Sequence, residues 1–483
     1  MPWILSNCSG WELGMASAAL VSTAAIIYRH FTDPLRGIPG PNMFENPPWK
    51  SMTLMMRGNA PADLLAWHKK YGPVIRVGSI VSIADADFYR TIYGTYRFPK
   101  AKFYAETRFN GASLFDILDR NVHRHRKSFL AGFYGTVALK AAEQEIKDVG
   151  IYVLIRKLEK FALQGKTVNL LHEFHLMTFD VIGKLAFGRY FNTLLTNDHP
   201  IFRWIDGNQR HIFFRMALGP FAKLLPDPQS AKEFQEFTLS AIRERRHQIA
   251  NEKDVVMLLL NGMDEQGNHL MDQELVPEMV VQLVAGTDTT ALSLSWTMYY
   301  LMNHKDIMNK LKQEIFTAIP SLDLNDITYD AVQHLPYLDA VIKEVMRIRP
   351  VAAILLPREV PQEGLHVHGY YLPEGTIVGI GAYTLHHSTK YFNNPDEFIP
   401  ERWLTADDET MEKMKKAYVP FSLGVRRCLG MHLAMLEMKI CLASIIQKFE
   451  FEYVPGASML PQSRFVFRPQ DMRVDAKLKV LSS

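Results

Sequence analysis

Of the three cysteines in this 483-residue chain, Cys8, Cys428 and Cys441, one has neighbours suited to chemistry. Around Cys428 the chain reads Phe421-Ser422-Leu423-Gly424-Val425-Arg426-Arg427-Cys428-Leu429-Gly430. Average residue frequencies give this spacing of Phe, Gly, Arg, Cys and Gly a chance occurrence well below roughly one in a thousand. A thiolate on a haem iron pushes electron density through the metal and favours O–O cleavage, provided it stays deprotonated and shielded. Gly424 and Gly430 would let backbone N–H groups approach such a sulfur. Arg426 can hydrogen-bond a haem propionate, and Phe421 would pack against the loop and keep water away. Leu429, Leu433, Leu436 and Ile440 recur at helical spacing, so a helix is expected just after Cys428, its positive end toward the anion. Cys441, between Ile440 and Leu442, reads as core.

A second unusual stretch is Ala285-Gly286-Thr287-Asp288-Thr289-Thr290, a polar island in a mainly apolar helical segment from Pro277 to His304. Buried Asp and Thr side chains need partners. One account is chemical. The other has the Thr hydroxyls bonding back to carbonyls four residues earlier and bending a structural helix, and the two are compatible.

Other patterns are weaker alone. Glu344 and Arg347 lie three apart and share a helix face, a spacing expected about once by chance. Phe398-Ile399-Pro400-Glu401-Arg402-Trp403 follows. Arg358 after Pro357 reads equally as an exposed arginine, and His123-Arg124-His125-Arg126-Lys127 as a solvated basic face. His123 with His125, and His386 with His387, lack further ligands nearby, so a metal site of that kind is rejected.

The supporting elements must come from one large core. The composition is 48% hydrophobic and 22% charged, with no repeat and no linker after the N-terminal region. A net charge of +3 with interspersed signs excludes a nucleic-acid partner on charge grounds, and no oligomer is indicated. Three cysteines give no disulfide framework, which favours a reducing compartment. Residues 1–12 are expected to be a short luminal stretch, 13–28 an apolar membrane anchor, 29–45 a basic, proline-rich hinge, and 46–483 the catalytic domain. Arg29 and Arg36 put that domain on the cytoplasmic side, leaving Asn7 in a luminal glycosylation triplet. No Gly-x-Gly-x-x-Gly opens a helix, so electrons must come from another protein. Lys413, Lys415, Lys416, Arg426, Arg427 and Lys439 would attract an acidic one.

Taken together these motifs resemble the cytochrome P-450 superfamily, along essentially the whole chain, with the texture of fungal membrane-bound members. The resemblance implies a mainly α (α+β) fold: a large helical part, a smaller β-rich part, and haem between an oxygen-activating helix and the cysteine loop, behind an N-terminal transmembrane helix. It makes Cys428 the axial ligand of a haem b iron. Gly286 would leave room for dioxygen, Thr289 would hydrogen-bond it, and Asp288 would deliver protons through water. Glu344, Arg347 and Arg402 would form a fold-stabilising triad, and Arg358 would bind a propionate. His123 and the basic residue four further on would do likewise. The family usually has Arg where Lys127 stands, so Lys127 and Arg126 are both candidates. Substrate-facing positions would be Tyr104 to Phe115, Arg210 to Leu225, the oxygen helix, Val351 to Leu356, and Phe465 to Phe467, mostly apolar and suited to a lipophilic terpenoid, polyketide or alkaloid. Hydroxylation or epoxidation with O2 is implied, with electrons from NADPH through a flavoprotein reductase and a b-type cytochrome as a second candidate donor, at the endoplasmic reticulum. A haem-thiolate isomerase, dehydratase or peroxygenase is the alternative within the family, and a non-catalytic haem protein the alternative outside it.

Overall fold

The computed structural model describes residues 32–42, 58–109, 111–218, 228–247, 254–264, 267–321, 323–464 and 466–481. The expected luminal stretch with Asn7, the anchor over 13–28 and parts of the hinge lie outside them. Among the described residues no helix is long and apolar enough to cross a membrane.

The helices that build the site are α1 (Arg120–Ala131), α2 (Leu170–Phe187), α3 (Pro200–Leu218), α4 (Gln229–Arg246), α5 (Asp272–Asn303), α6 (Pro336–Ile348) and α7 (Met431–Lys448). A helix apolar on every side has to be buried, and α2 is: only His172 among its residues is exposed. Several of its polar groups are committed to partners on neighbouring segments. Asp180 accepts the Thr193 and Leu194 N–H groups at 2.8 and 3.0 Å, and the Thr178 hydroxyl donates to the Thr287 carbonyl of α5 at 2.9 Å. Helix α5 starts before Pro277 because the Glu274 carboxylate reaches back to the Met271 N–H at 3.2 Å, capping the first turn.

The sheets are small. Strands β1 (Val74–Val77), β2 (Ile80–Ile83), β4 (Arg358–Glu359) and β7 (Ile377–Gly379) form a sheet in the order β1-β2-β7-β4, in which only β2 and β7 run parallel. Strands β3 (Val168–Asn169), β11 (Asp475–Val480) and β8 (Phe449–Tyr453) form a second sheet, β5 (Leu365–Val367) and β6 (Tyr370–Leu372) one hairpin, and β9 (Pro461–Arg464) and β10 (Val466–Pro469) another. A large helical core and a smaller core under the first sheet follow from this division, as the α+β reading requires.

The Glu344 group ties the two parts together. Arg347 forks onto both carboxylate oxygens of Glu344, each bond 2.9 Å, and Arg402 Nε adds a third at 2.9 Å. Trp403 Nε1 and the Ile399 N–H complete the shell at 3.0 and 3.1 Å. The remaining guanidinium groups donate to the carbonyls of His386, Pro395, Glu397, Asn393 and Asn394. The expected triad is thus a fully buried knot between α6 and the segment leading to the cysteine loop. His386 belongs to the same packing, with its ring nitrogens on the Arg347 carbonyl and the Val419 N–H.

Candidate active site

The cysteine loop takes its shape from two residues in the left-handed region, Ser422 (φ 56°) and Gly424 (φ 71°), and from the Cys428 N–H, which donates to the Phe421 carbonyl at 3.0 Å. Gly424 earns its place by packing. A Cβ there would stand 2.4 Å from the Tyr93 and Gly94 carbonyl oxygens, so the glycine lets the loop lie on a neighbouring helix end rather than freeing an N–H for the sulfur. Gly430 does face the sulfur. Burial pushes the Cys428 thiol up from its ordinary value, while the Gly430 N–H and the Arg427 guanidinium act in the opposite direction. Helix α7 begins at Met431, three residues on, with its positive end toward the loop.

Cys428 is enclosed by the fold yet its side chain is open, and what it opens onto is an internal cavity of about 480 Å³. Phe421, Gly430 and Leu433 line the same end, while Gly286, Asp288, Thr289 and Thr290 of α5 line the cavity wall. The two sequence motifs, far apart in the chain, therefore share one chamber.

On α5 the Thr289 hydroxyl donates to the Ala285 carbonyl at 2.8 Å, so the back-bonding account holds alongside the chemical one. Gly286 lets α2 approach: a Cβ there would meet Ile182 Cγ1 at 2.6 Å. Asp288 accepts from Gln209 Nε2 of α3 at 3.0 Å, and His175 Nε2 of α2 stands 3.4 Å from its other oxygen. Thr290 bonds Glu437 of α7, whose carboxyl burial pushes up to about 8 against that bond.

The fit of a haem can be judged from the cations. Lys100, His123, Lys127, Arg358 and Arg426 all line the cavity. The backbone sets two of them together, since Lys100 forms an isolated β-bridge with Arg358. Burial, then Arg358, brings Arg426 down to about 10, and burial, then Arg358 and Arg426, puts Lys100 well below the usual lysine range. Arg426 gives its terminal nitrogens to the Ile117 and Leu118 carbonyls at 2.7 and 3.4 Å. The Nε groups of Arg358 and Arg426 have no partner. Buried, crowded guanidinium groups cost several kcal/mol unless an anion meets them, and a dianionic ring substituent pair at this rim would do so. The residues fit haem.

His123 and Lys127 share the cavity-facing side of α1. Burial, then Arg426 and Lys127, brings His123 down to about 3, and its Nδ1 meets the Tyr96 hydroxyl at 2.8 Å, while Lys127 donates to the Val425 carbonyl at 2.8 Å. Arg126 points elsewhere. It bonds Glu274 at 2.7 Å and stands 3.9 Å from the fully buried Glu278, both on α5, so it is a tie between α1 and α5 and leaves the candidates for the ring. The expected cationic docking face also thins. Arg426 is turned inward and Lys439 is buried against Asp339 at 2.9 Å, whereas Lys413, Lys415 and Lys416 are exposed on the helix Asp408–Ala417 and Arg427 is exposed beside the cysteine.

Of the substrate-facing ranges, Tyr104 to Phe115 contributes Tyr104, Thr107, Phe109, Ser113, Leu114 and Phe115 to the cavity lining, and Val351 to Leu356 contributes all but Ala353. On α3 the lining residues are Ile205, Asn208 and Gln209, just before the expected Arg210 to Leu225, and Ile212 within it; residues 219–225 lie outside the described residues. At the β9–β10 hairpin Val466 lines the cavity, while Phe467 packs on Tyr383 and Phe465 is outside the described residues.

A profile of the family described as Cytochrome P-450 matches residues 41–475. The cytochrome P-450 monooxygenase aclL of Aspergillus oryzae is 31% identical over 446 residues, covering 89% of this chain and 90% of the relative. The trichothecene C-15 hydroxylase of Fusarium sporotrichioides is 29% identical over 471 residues, covering 94% of each. In fold, the crystal structure of the cytochrome P-450DA haem domain matches with a TM-score of 0.78 at 21% identity, over 92% of this chain and 98% of that one. The chain belongs to the cytochrome P-450 family. Its cofactor is accordingly a haem with thiolate-ligated iron, O2 is its co-substrate, and NAD(P)H-derived electrons reach it through a reductase.

Proposed function

We propose that this protein is a haem-dependent monooxygenase of secondary metabolism, inserting one atom of O2 into a C–H or C=C bond of a lipophilic terpenoid, polyketide or alkaloid. The observation that carries the reading is the shared chamber, with Cys428 at one end and Thr289 and Asp288 on its wall. When bound, the haem supplies dioxygen reduction and oxygen-atom transfer. The chain supplies the rest. Cys428 would hold the iron through its thiolate, with the Gly430 N–H on the sulfur. Lys100, His123, Lys127, Arg358 and Arg426 hold the propionates. Asp288, steadied by Gln209 and His175, passes protons by way of water to the Thr289 hydroxyl, and the low polarity of the chamber excludes bulk water. Intact Asp288 and Thr289 favour monooxygenation over isomerisation, dehydration or peroxygenation, and a protein that only stores haem gains nothing from them. The trichothecene C-15 hydroxylase among the relatives fits hydroxylation as the default outcome.

The electron donor is an NADPH-dependent flavoprotein, alternating with a b-type cytochrome, docking over Arg427, Lys415 and Lys416. Residues 13–28 anchor the chain in the endoplasmic reticulum, 29–45 are the hinge, and the domain from 46 onward faces the cytosol. Resistance of the full chain to carbonate extraction, lost on deleting 13–28, tests the anchor. The central test is the reduced carbon monoxide difference spectrum of wild type and Cys428→Ala. A Soret band strongly red-shifted from that of a His-ligated carbonyl haem, in wild type only, supports the reading; a His-type band in folded wild type overturns it.

A further inference from the structure

Asp288 lines the chamber and His175 does not, although the two face each other 3.4 Å apart where α5 packs on α2. Their register is fixed by immediate neighbours. Thr178, one turn along α2 from His175, donates to the carbonyl of Thr287, the residue before Asp288, at 2.9 Å. The His175 side chain keeps 11% of its surface open, away from the chamber, while Nε2 is buried against Asp288 Oδ1. His172, the exposed residue of α2, stands one turn back on the same helix face. An imidazole therefore lies between the outer side of α2 and the carboxylate of the oxygen motif.

The other partner of Asp288 cannot supply a proton. Gln209 donates an amide N–H to Oδ2 at 3.0 Å, and an amide does not release its proton near neutral pH. Imidazole can take a proton at one ring nitrogen and release one from the other. Its orientation follows from the same chemistry, since a ring N–H can donate to the carboxylate and the alternative ring edge would set a carbon there. The acid next to His172, Glu173, is paired with Lys157 at 2.6 Å, which leaves Asp288 as the carboxylate facing His175.

We infer that His175 is a proton-relay residue that acts through Asp288, taking protons from the outer side of α2 where His172 stands. The inference rests on the monooxygenase reading and deepens it by assigning the entry point of the protons. Each turnover consumes O2, two electrons from NADPH and two protons; one oxygen atom enters the substrate and the other leaves as water with both protons. His175 takes up a proton at Nδ1 and releases the one on Nε2 to Asp288 Oδ1, and exchange of the ring between its two neutral tautomers resets it. Asp288 passes the proton on by way of water to Thr289.

The test uses the haem-loaded full chain with an NADPH-dependent flavoprotein reductase and 7-ethoxycoumarin as the probe. It reads the share of NADPH electrons that ends in water or product rather than in hydrogen peroxide. His175→Gln keeps an N–H for Asp288, as Gln209 does, but cannot pass a proton on. Its share should fall by roughly fivefold or more while the rate of haem reduction under carbon monoxide stays at the wild-type value, and adding it to Asp288→Asn should change nothing further. A share equal to wild type in His175→Gln would mean that the histidine only holds Asp288, and it overturns the inference. So does a wild type that returns all its electrons as peroxide, since no relay is then at work. A readout without turnover stands beside these. In the carbon monoxide-bound reduced protein labelled with nitrogen-15 histidine, the His175 ring signals, identified by their loss in His175→Gln, should move in Asp288→Asn; signals that stay in place would mean that the two groups do not touch. Failure of the monooxygenase reading shows separately, as absence of the red-shifted carbonyl band in wild type.

Discussion

Replacing Glu344 by Gln removes one charge from the knot between α6 and the segment before the cysteine loop. In wild type its two oxygens accept five hydrogen bonds, from Arg347 Nε and Nη2, Arg402 Nε, Trp403 Nε1 and the Ile399 N–H. Gln keeps the shape, but its amide nitrogen turns a donor toward donors, and two buried guanidinium groups lose their counter-charge. Breaking a buried pair by neutralising one partner costs about 3–5 kcal/mol. A typical domain is stable by about 5–15 kcal/mol, so the substitution should consume a large share of the total. The assay is urea unfolding of the haem-loaded protein, followed by far-ultraviolet dichroism and by the Soret band. The Glu344→Gln midpoint should fall sharply on both probes, while Lys310→Ala, which opens the surface pair with Glu401, should leave it unchanged. A loss within about 1 kcal/mol in Glu344→Gln would refute the reasoning, because the knot would then be no more than decoration on a fold held elsewhere.

Three further outcomes follow from the same geometry. Thr289→Ala removes the hydroxyl that the cavity wall offers for proton transfer, so product per NADPH consumed should fall by at least about tenfold with substrate affinity kept, as product and peroxide assays would record. Gly286→Ala drives a methyl into Ile182, at 2.6 Å, and should cost about 1–3 kcal/mol, recovered in part by adding Ile182→Ala; a neutral Gly286→Ala in thermal melts would disprove the packing account. Although burial raises it, the Asp85 carboxyl is brought down to about 2 by the Tyr391 hydroxyl, the Asp87 N–H and Lys390. A folded value below the unfolded one gives stability that is complete above the unfolded value near 3.8 and is lost as pH falls toward 2. After allowance for solvent screening this is about 1–2 kcal/mol, so the stability gap between wild type and Asp85→Asn should narrow between pH 4 and pH 2.

The residues proposed for the chemistry stand in short motifs that local spacing makes visible. Cys428 and Gly430 lie in one and Asp288 and Thr289 in the other, and the fold brings both to the same cavity. Contacts made by tertiary approach were harder to read. Lys100 follows Phe98 and Pro99 in no motif, and only its bridge to Arg358 puts it at the rim. Arg126 and Lys127 are adjacent on α1, and adjacent helix positions face about 100° apart, so the phase of the helix decides which one enters the chamber. Lys439, and Arg426 in its second reading as a docking cation, read as surface charges because charge alone does not report which side of a loop or helix faces inward. Asn208 and His175 are ordinary residues of ordinary helices until α3 and α2 are laid against α5.

Helix α2 also bears on how this enzyme can change. A helix with one exposed residue in eighteen offers selection almost no silent surface. A saturation library over residues 170–187 should return tolerant substitutions at His172 and a block of losses elsewhere, even though Ile182 is the only one of these side chains to reach the substrate chamber. New substrate preferences are therefore more accessible through α3, whose cavity residues sit on an element with exposed positions such as Arg203 and Arg210, than through so thoroughly packed a helix.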